Sequence, residues 1–175
     1  RFVSGLRINA VRADFHVTGK PKHLEDTAFM PLRFEGGVPG TLMESQPMAG
    51  SQCGFRIKVC GTKASLEWPH EQPEFLHLRA IGAPEQIISR GHGAGMSPAT
   101  ERLLRMPRGH PEALTDAWAN LYLEFAVAIQ ARREGTDLPK DFLAYPTIAD
   151  GVDGMRFVEA AIKSNQTEAW VSCRE

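Results

Sequence analysis

From Asp26 to Trp68 apolar and polar residues alternate with a period of two, the spacing of strands buried on one face. In the first run Ala28, Met30, Leu32 and Phe34 share a face; in the third Phe55, Ile57 and Val59 do so, with Arg56 and Lys58 opposite. Between the runs lie Gly36-Gly37-Val38-Pro39-Gly40 and Gly61-Thr62-Lys63, where glycine can take the positive φ of a tight reversal. The stretch predicts a meander of consecutive antiparallel strands. Pro31 has no N–H for a ladder bond and so argues for an edge or a bulge at its position. Pro47 ends the second strand, and 49–54 makes the return loop. A sheet with one apolar face needs a cover, for which the helices downstream are the candidates.

The alternation extends to both sides of the meander. From Leu6 to Val17 it places Val11, Ala13, Phe15 and Val17 on one face and Arg12, Asp14 and His16 on the other. Thr18 to Glu25 is a polar loop, and Arg1 to Val3 read as the tail of a helix capped by Gly5. Beyond the break at 69–73, Phe75 to Ala80 and Gln86 to Ser89 are two more strands, joined around Gly82-Ala83-Pro84. Ser97 and Pro98 then suit the N-cap and first position of a short helix over 99–105.

From Pro111 to Arg133 the period changes to that of a helix, with Leu114, Ala117, Trp118, Leu121, Tyr122, Phe125 and Ile129 in one stripe. This is the expected covering helix, with Pro111 in its first turn and Glu112 at the positive end of its dipole. Gly135 stops it, and 137–145 is a loop. Thr147 and Asp150 have capping-box spacing before a second helix with Ile148, Val152, Met155, Val158 and Ile162 on one side. Gly151 and Gly154 cost that helix stability, which suggests close approach of a neighbouring element. Residues 169–172 can form a last short strand. The expected fold class is α+β: an open, mainly antiparallel sheet of about six or seven strands with helices packed on one face. Residues 1–175 are read as a single domain.

A net charge of -1 gives no reason to expect nucleic acid or an anionic membrane as partner. Cys53, Cys60 and Cys173 have neither an even count nor C-x-x-C spacing, so reduced thiols in a cytoplasm are expected. No run reaches the roughly 18 apolar residues of a membrane span, and no signal-peptide layout opens the chain. The chain starts in mid-pattern without an initiator methionine and is read as a piece of a longer protein.

Candidates for chemistry are few. The histidines lack metal-binding spacing, no G-x-S-x-G elbow is present, and Ser45 and Ser51 read as structural. The glycine-rich 91–95 is neither G-x-G-x-x-G nor a Walker sequence and reads as a linker or flexible lip. His110, in Gly109-His110-Pro111-Glu112, stands at the mouth of the long helix, where it could bind an oxygen-rich ligand, serve as a poor N-cap, or be a plain loop histidine. Glu44-Ser45-Gln46 places polar groups at a strand end, either for a ligand or for solvent. Arg56, Lys58 and Glu67 face water or another subunit.

Gly40-Thr-Leu-Met-Glu-Ser-Gln46 and Gly54-Phe-Arg-Ile-Lys-Val-Cys-Gly-Thr-Lys-Ala-Ser-Leu-Glu-Trp68 resemble the C-terminal domain of the glucose-fructose oxidoreductase, inositol dehydrogenase and MocA family. So do Gly109-His-Pro-Glu112 with Ala117-Trp-Ala-Asn-Leu-Tyr122, and Pro146-Thr-Ile-Ala-Asp-Gly-Val-Asp-Gly-Met155. The resemblance implies an open sheet flanked by helices, following an N-terminal Rossmann domain that binds NAD or NADP. It implies hydride transfer to or from a sugar, polyol or related compound. The lysine, aspartate and histidine that move protons in such enzymes have no counterpart here and no glycine fingerprint follows a strand, so the chain itself is expected to be inactive and to bind no cofactor; no metal is expected, because the histidines lack its spacing. His110 and Gln46 are the expected remnant of the substrate site. The missing Rossmann domain and a homo-oligomer through the open sheet face are the expected partners. The contrasting reading is a stand-alone sheet domain that acts only in protein association.

Overall fold

The computed structural model describes residues 2–20, 23–91, 96–139, 142 and 145–174. Parts of the expected helix tail (Arg1), of the polar loop (21–22), of the glycine-rich stretch (92–95) and of the 137–145 loop lie outside the described residues. In chain order the elements are β1 (Ile8–Val11), β2 (Asp14–His16), β3 (Thr27–Phe34), β4 (Pro39–Ser45), β5 (Arg56–Cys60), β6 (Ala64–Pro69), β7 (Phe75–Ala80) and β8 (Gln86–Ser89). There follow α1 (Pro98–Leu103), α2 (Leu114–Glu134), α3 (Ile148–Thr167) and β9 (Val171–Ser172). The α+β class is as expected, but the strands form two antiparallel sheets, of five and four strands. They belong to two compact units, Arg1–Ser51 with Pro146–Glu175, and Gln52–Tyr145. The expected meander divides into the β3–β4 and β5–β6 hairpins, because Pro47 and the left-handed Gly50 and Gly54 interrupt the extended chain between them.

In the first unit β3 is central, with β4 along one edge and β1 and β2 sharing the other; β9 pairs with β1. The single strand expected from Leu6 to Val17 is broken at Arg12 and Ala13, opposite Pro31. The Pro31 carbonyl accepts the Arg12 N–H at 3.0 Å. N–H and C=O of one residue point to the same side of a strand, so the donor that proline lacks would face this break. The irregularity thus lies on the neighbouring strand, and β3 is not an edge. Val11, Ala13, Ala28, Met30 and Leu32 are buried on one face, as the alternation implied, although Val17 at the end of the run is exposed. Burial of Met30 and Leu32 contributes about 1.5–3 kcal/mol each.

The cover of this sheet is α3, through a face the sequence pattern did not single out. Ala160, Ala161 and Ser164 are buried, with Phe157 packed beside them, whereas Ile148, Val152, Met155, Val158 and Ile162 are exposed. Small side chains let the helix come close enough for polar groups to fill the ladder break. Ser164 Oγ accepts the Ala13 N–H at 2.8 Å and donates to the Ala169 carbonyl at 2.6 Å; Asn165 Oδ1 accepts the Phe15 N–H at 2.8 Å. The capping box stands as expected, Asp150 Oδ2 accepting the Thr147 N–H at 2.8 Å. Close approach does not explain Gly151 and Gly154, since a Cβ on either would meet open space.

In the second unit Ile57 lies opposite Trp68, Val59 opposite Leu66, Leu66 opposite Leu78 and Leu76 opposite Ile88, so one face of the sheet is apolar. Ile57, Val59 and Leu66 on that face are nonetheless exposed. The other face carries a chain of ion pairs: Arg79 to Glu67 at 2.6 Å, Arg79 to Glu85 at 2.8 Å and His77 to Glu85 at 2.9 Å. The Arg79 hydrogen bond holds Glu67 below the usual carboxylate range, and that from His77 does the same for Glu85.

Helix α1 begins as expected, Ser97 Oγ accepting the Thr100 N–H at 3.2 Å. Helix α2 starts later than expected: Ala113 occupies the N-cap, its N–H bonded to Asp116 Oδ2 at 3.2 Å, and Pro111 and Glu112 precede it. Gly135 ends it in the left-handed region at φ 68°. Its expected covering stripe is exposed, with Trp118 at 56% and Tyr122 at 70% of their accessible surface. The buried positions of α2 are Glu124 and Ala131, and it is tied to α1 and the residues after it by Arg102 with Glu124 and by Asn120, whose Nδ2 donates to the Leu103 carbonyl at 2.9 Å.

Candidate functional site

The loop between α1 and α2 carries His110 and is anchored from the β7–β8 hairpin. Phe75 pairs with Ser89, which sets Glu74 against Arg90 at the open end, and the Arg90 N–H bonds to the Glu74 carbonyl at 2.8 Å. Arg90 Nε reaches both Glu74 carboxylate oxygens at 3.1 Å. Its Nη1 donates to Glu112 Oε2 at 2.8 Å and to the Met106 carbonyl at 3.1 Å, and its Nη2 donates to the His110 carbonyl at 2.7 Å. Glu112, whose side chain is 5% exposed, also accepts the N–H groups of Arg105 and Met106, while its own N–H bonds to Glu74 Oε1 at 2.8 Å. Every charge in this cluster has an opposite charge and hydrogen bonds, the condition under which buried ions are tolerated. Burial pushes the Glu74 carboxyl up, but the Arg90 guanidinium and the Glu112 amide outweigh it and leave the group below the usual carboxylate range.

His110 stands on this platform with its residue exposed and its N–H bonded to the Pro107 carbonyl at 3.1 Å. Gly109 before it has φ 87°, and Pro111 follows. His110 is not a helix cap, because Ala113 holds that place. Its ring, offered from an anchored backbone, can donate to or accept from a hydroxylated ligand.

Gln46 belongs to the first unit. It follows β4 and is exposed, its N–H bonded to the Asp26 carbonyl at 2.8 Å. Asp26 is buried and takes the Thr18 N–H and hydroxyl, each at 2.9 Å, and the Gly19 N–H at 3.1 Å. Thr27 Oγ1 joins the same carboxylate at 3.2 Å and lies 2.8 Å from Ser45 Oγ, so Ser45 has the structural place expected of it. Gln46 is thus also held by a fixed polar node. His110 and Gln46 lie in separate units, each with its own anchor.

The sequence pattern does not single out Arg90 or Glu74, and it gives Glu112 only a place at the helix dipole, whereas the structure joins all three. A signal existed: an acidic residue just before one hairpin strand and an arginine just after the other face each other once the register is set. Among the described residues no group of three His, Cys, Asp or Glu side chains could hold a metal ion. The cysteines are free; Cys53 and Cys60 are exposed, and burial pushes the Cys173 thiol up. A nucleotide phosphate does not fit the described residues after β8. The hairpin there is antiparallel, and α1 has six residues with its Thr100 amide already bound by Ser97.

Comparison with known proteins adds the family context. Residues 8–173 match the family model described as the oxidoreductase family, C-terminal alpha/beta domain. An uncharacterized oxidoreductase, YfiI, of Bacillus subtilis is 38% identical over 156 residues, which are 87% of this chain and 39% of that protein. The crystal structure of an oxidoreductase from Sinorhizobium meliloti superposes with a TM-score of 0.88 at 38% identity, over 97% of this chain and 48% of its own. An inositol dehydrogenase homologue from Azotobacter vinelandii, solved with NADH and myo-inositol, gives 0.86 at 37% identity, over 96% of this chain and 45% of its own. The chain therefore spans less than half the length of these relatives.

Proposed function

The chain belongs to the Gfo/Idh/MocA oxidoreductase family, as its C-terminal alpha/beta domain, and from that premise we propose that it is the substrate and association domain of a cytoplasmic NAD- or NADP-dependent oxidoreductase of sugars or polyols. The observation that carries this reading is the 37% identity, over nearly the whole chain, to an inositol dehydrogenase homologue solved with NADH and myo-inositol. In the proposed reaction a carbon-bound hydride passes between a hydroxyl-bearing carbon and the nicotinamide, while the hydroxyl proton passes to a base. The base and the dinucleotide belong to a Rossmann domain. His110 contributes a hydrogen bond that holds a substrate hydroxyl.

Calorimetry tests this division of labour. The chain alone should give no heat with NADH or NADPH, and joined to a Rossmann domain of the family it should oxidise a polyol with NAD or NADP. Micromolar binding of NADH by the chain alone would refute it.

Association is supported by a separate observation. Ile57, Val59 and Leu66 leave a contiguous apolar strip exposed on one face of the four-stranded sheet, the kind of surface that marks association. A second copy of the chain on that face accounts for it. Sedimentation should show an oligomer that Ile57→Lys dissociates; an unchanged sedimentation coefficient counts against this face. Oligomerisation without turnover in the joined protein would favour a purely associative domain.

A further inference from the structure

We propose that Arg90 is a positioning residue for His110, acting through the backbone of the 104–112 loop with Glu74 and Glu112 as its partners. The proposal rests on the reading of His110 as a substrate contact. Three features separate this cluster from an ordinary surface ion pair. First, Arg90 uses Nε, Nη1 and Nη2 together, and two of its acceptors are loop carbonyls, those of Met106 and His110. Second, the Glu112 carboxylate closes the same loop from inside by accepting the Arg105 and Met106 amides. Third, Arg90 is itself fixed to the hairpin end, by its own N–H on the Glu74 carbonyl and by its side chain on the Glu74 carboxylate.

The consequence concerns the histidine. No helix or strand runs from Leu104 to Ala113, and the bonds to Arg90 and Glu112 hold its course together with Arg105 Nε on Asn120 Oδ1 at 3.0 Å and the His110 N–H on the Pro107 carbonyl at 3.1 Å. The bond from Arg90 Nη2 holds the His110 carbonyl, and Pro111 narrows the backbone conformations open to His110, while Gly109 at φ 87° permits the turn before it. A planar fork with donors on three nitrogens is required, and a lysine ammonium would keep the charge without the geometry.

The test uses Arg90→Lys, with Glu74→Gln as the second variant if the first fails to fold. In hydrogen exchange, the amides of Met106, His110 and Glu112 should exchange about tenfold faster in the variant, while those of Ile57 and Leu66 are unchanged. In the oxidoreductase joined to its dinucleotide domain, KM for myo-inositol should rise about tenfold with kcat within about twofold, the pattern of lost substrate positioning. Simple destabilisation would instead lower kcat through the folded fraction and leave KM alone. Uniform or unchanged exchange overturns the proposal, as does selective exchange with unaltered KM. If the unmodified protein turns over no polyol, the redox reading fails. The His110 imidazole NMR signal then decides on Arg90: a shifted and broadened line in the variant upholds the positioning role, and an unshifted one removes it.

Discussion

The two units are both antiparallel sheets with one apolar face, yet they are held together differently. In the first, Val11, Met30 and Leu32 are sealed beneath Ala160 and Ala161 of a helix from the same unit. In the second, Ile57, Val59 and Leu66 remain exposed, and among the described residues Ala131 is its sole buried apolar side chain. Besides the ring contacts of Phe55, Trp68 and His70, the second unit has polar ties where the first has a sealed core: the Glu74–Arg90–Glu112 cluster, the ion pairs on the opposite face and the Asn120 bond between helical segments. A sheet that finishes its core within itself serves as a foundation. One that leaves an apolar face uncovered is suited to being completed by another surface.

The contrast can be broken most severely at matched leucines. Leu32→Ala should cost about 3 kcal/mol in chemical denaturation, since it opens a cavity beneath α3. Leu66→Ala, exposed on the other sheet, should cost below about 1 kcal/mol in the monomeric chain. Equal losses would erase the distinction. Next in size is the polar cluster: Glu112→Ala should cost about 3 kcal/mol, because Arg90 keeps its charge but loses a nearly buried partner. A loss within about 0.5 kcal/mol would show that the cluster does not hold the second unit.

Smaller effects sharpen the picture. Ser164→Ala leaves the buried Ala13 N–H without its acceptor and should cost about 2 kcal/mol, with faster exchange confined to Ala13 and its neighbours. Leu121→Asp would unfold the protein if α2 covered a sheet with its apolar stripe. With Leu121 exposed, the expected change is within about 1 kcal/mol, read by thermal melting. The smallest effect is that of acid. Glu74 has a folded pKa below its ordinary 4.5, so its contribution to stability is complete above that value and is lost as pH falls through the folded value. The difference in melting temperature between wild type and Glu74→Gln should therefore be greatest near neutral pH and shrink in acid. A difference that grows on acidification would reverse the sign of this linkage.

Period-two alternation was enough to find the strands from Thr27 to Ser89, because a half-buried strand must show its pattern locally. Turn glycines, the Ser97 cap and the Thr147–Asp150 box were legible for the same reason: each is an agreement among residues a few positions apart. The helix faces were not. In α3 Ile148, Val152, Met155, Val158 and Ile162 are exposed, while Ala160 and Ala161 are buried with Phe157 packed beside them, a face that a period count of large apolar residues does not select. His110 and Gln46 could be picked as polar groups at element ends, but their anchors could not, because Arg90 finds Glu112 across 22 residues and Asp26 finds Ser45 only through Thr27.

Local pattern located β3 to β8 and the three helices, most of their ends, and the family to which the motifs point, but not the break between β1 and β2. Only folding settled that there are two sheets, which helix face seals a core, and that a partly buried arginine bonds to the loop of the candidate histidine. The physical reason is range: backbone propensities and caps are set by neighbours in the chain, whereas burial and charge pairing depend on residues that only folding brings together.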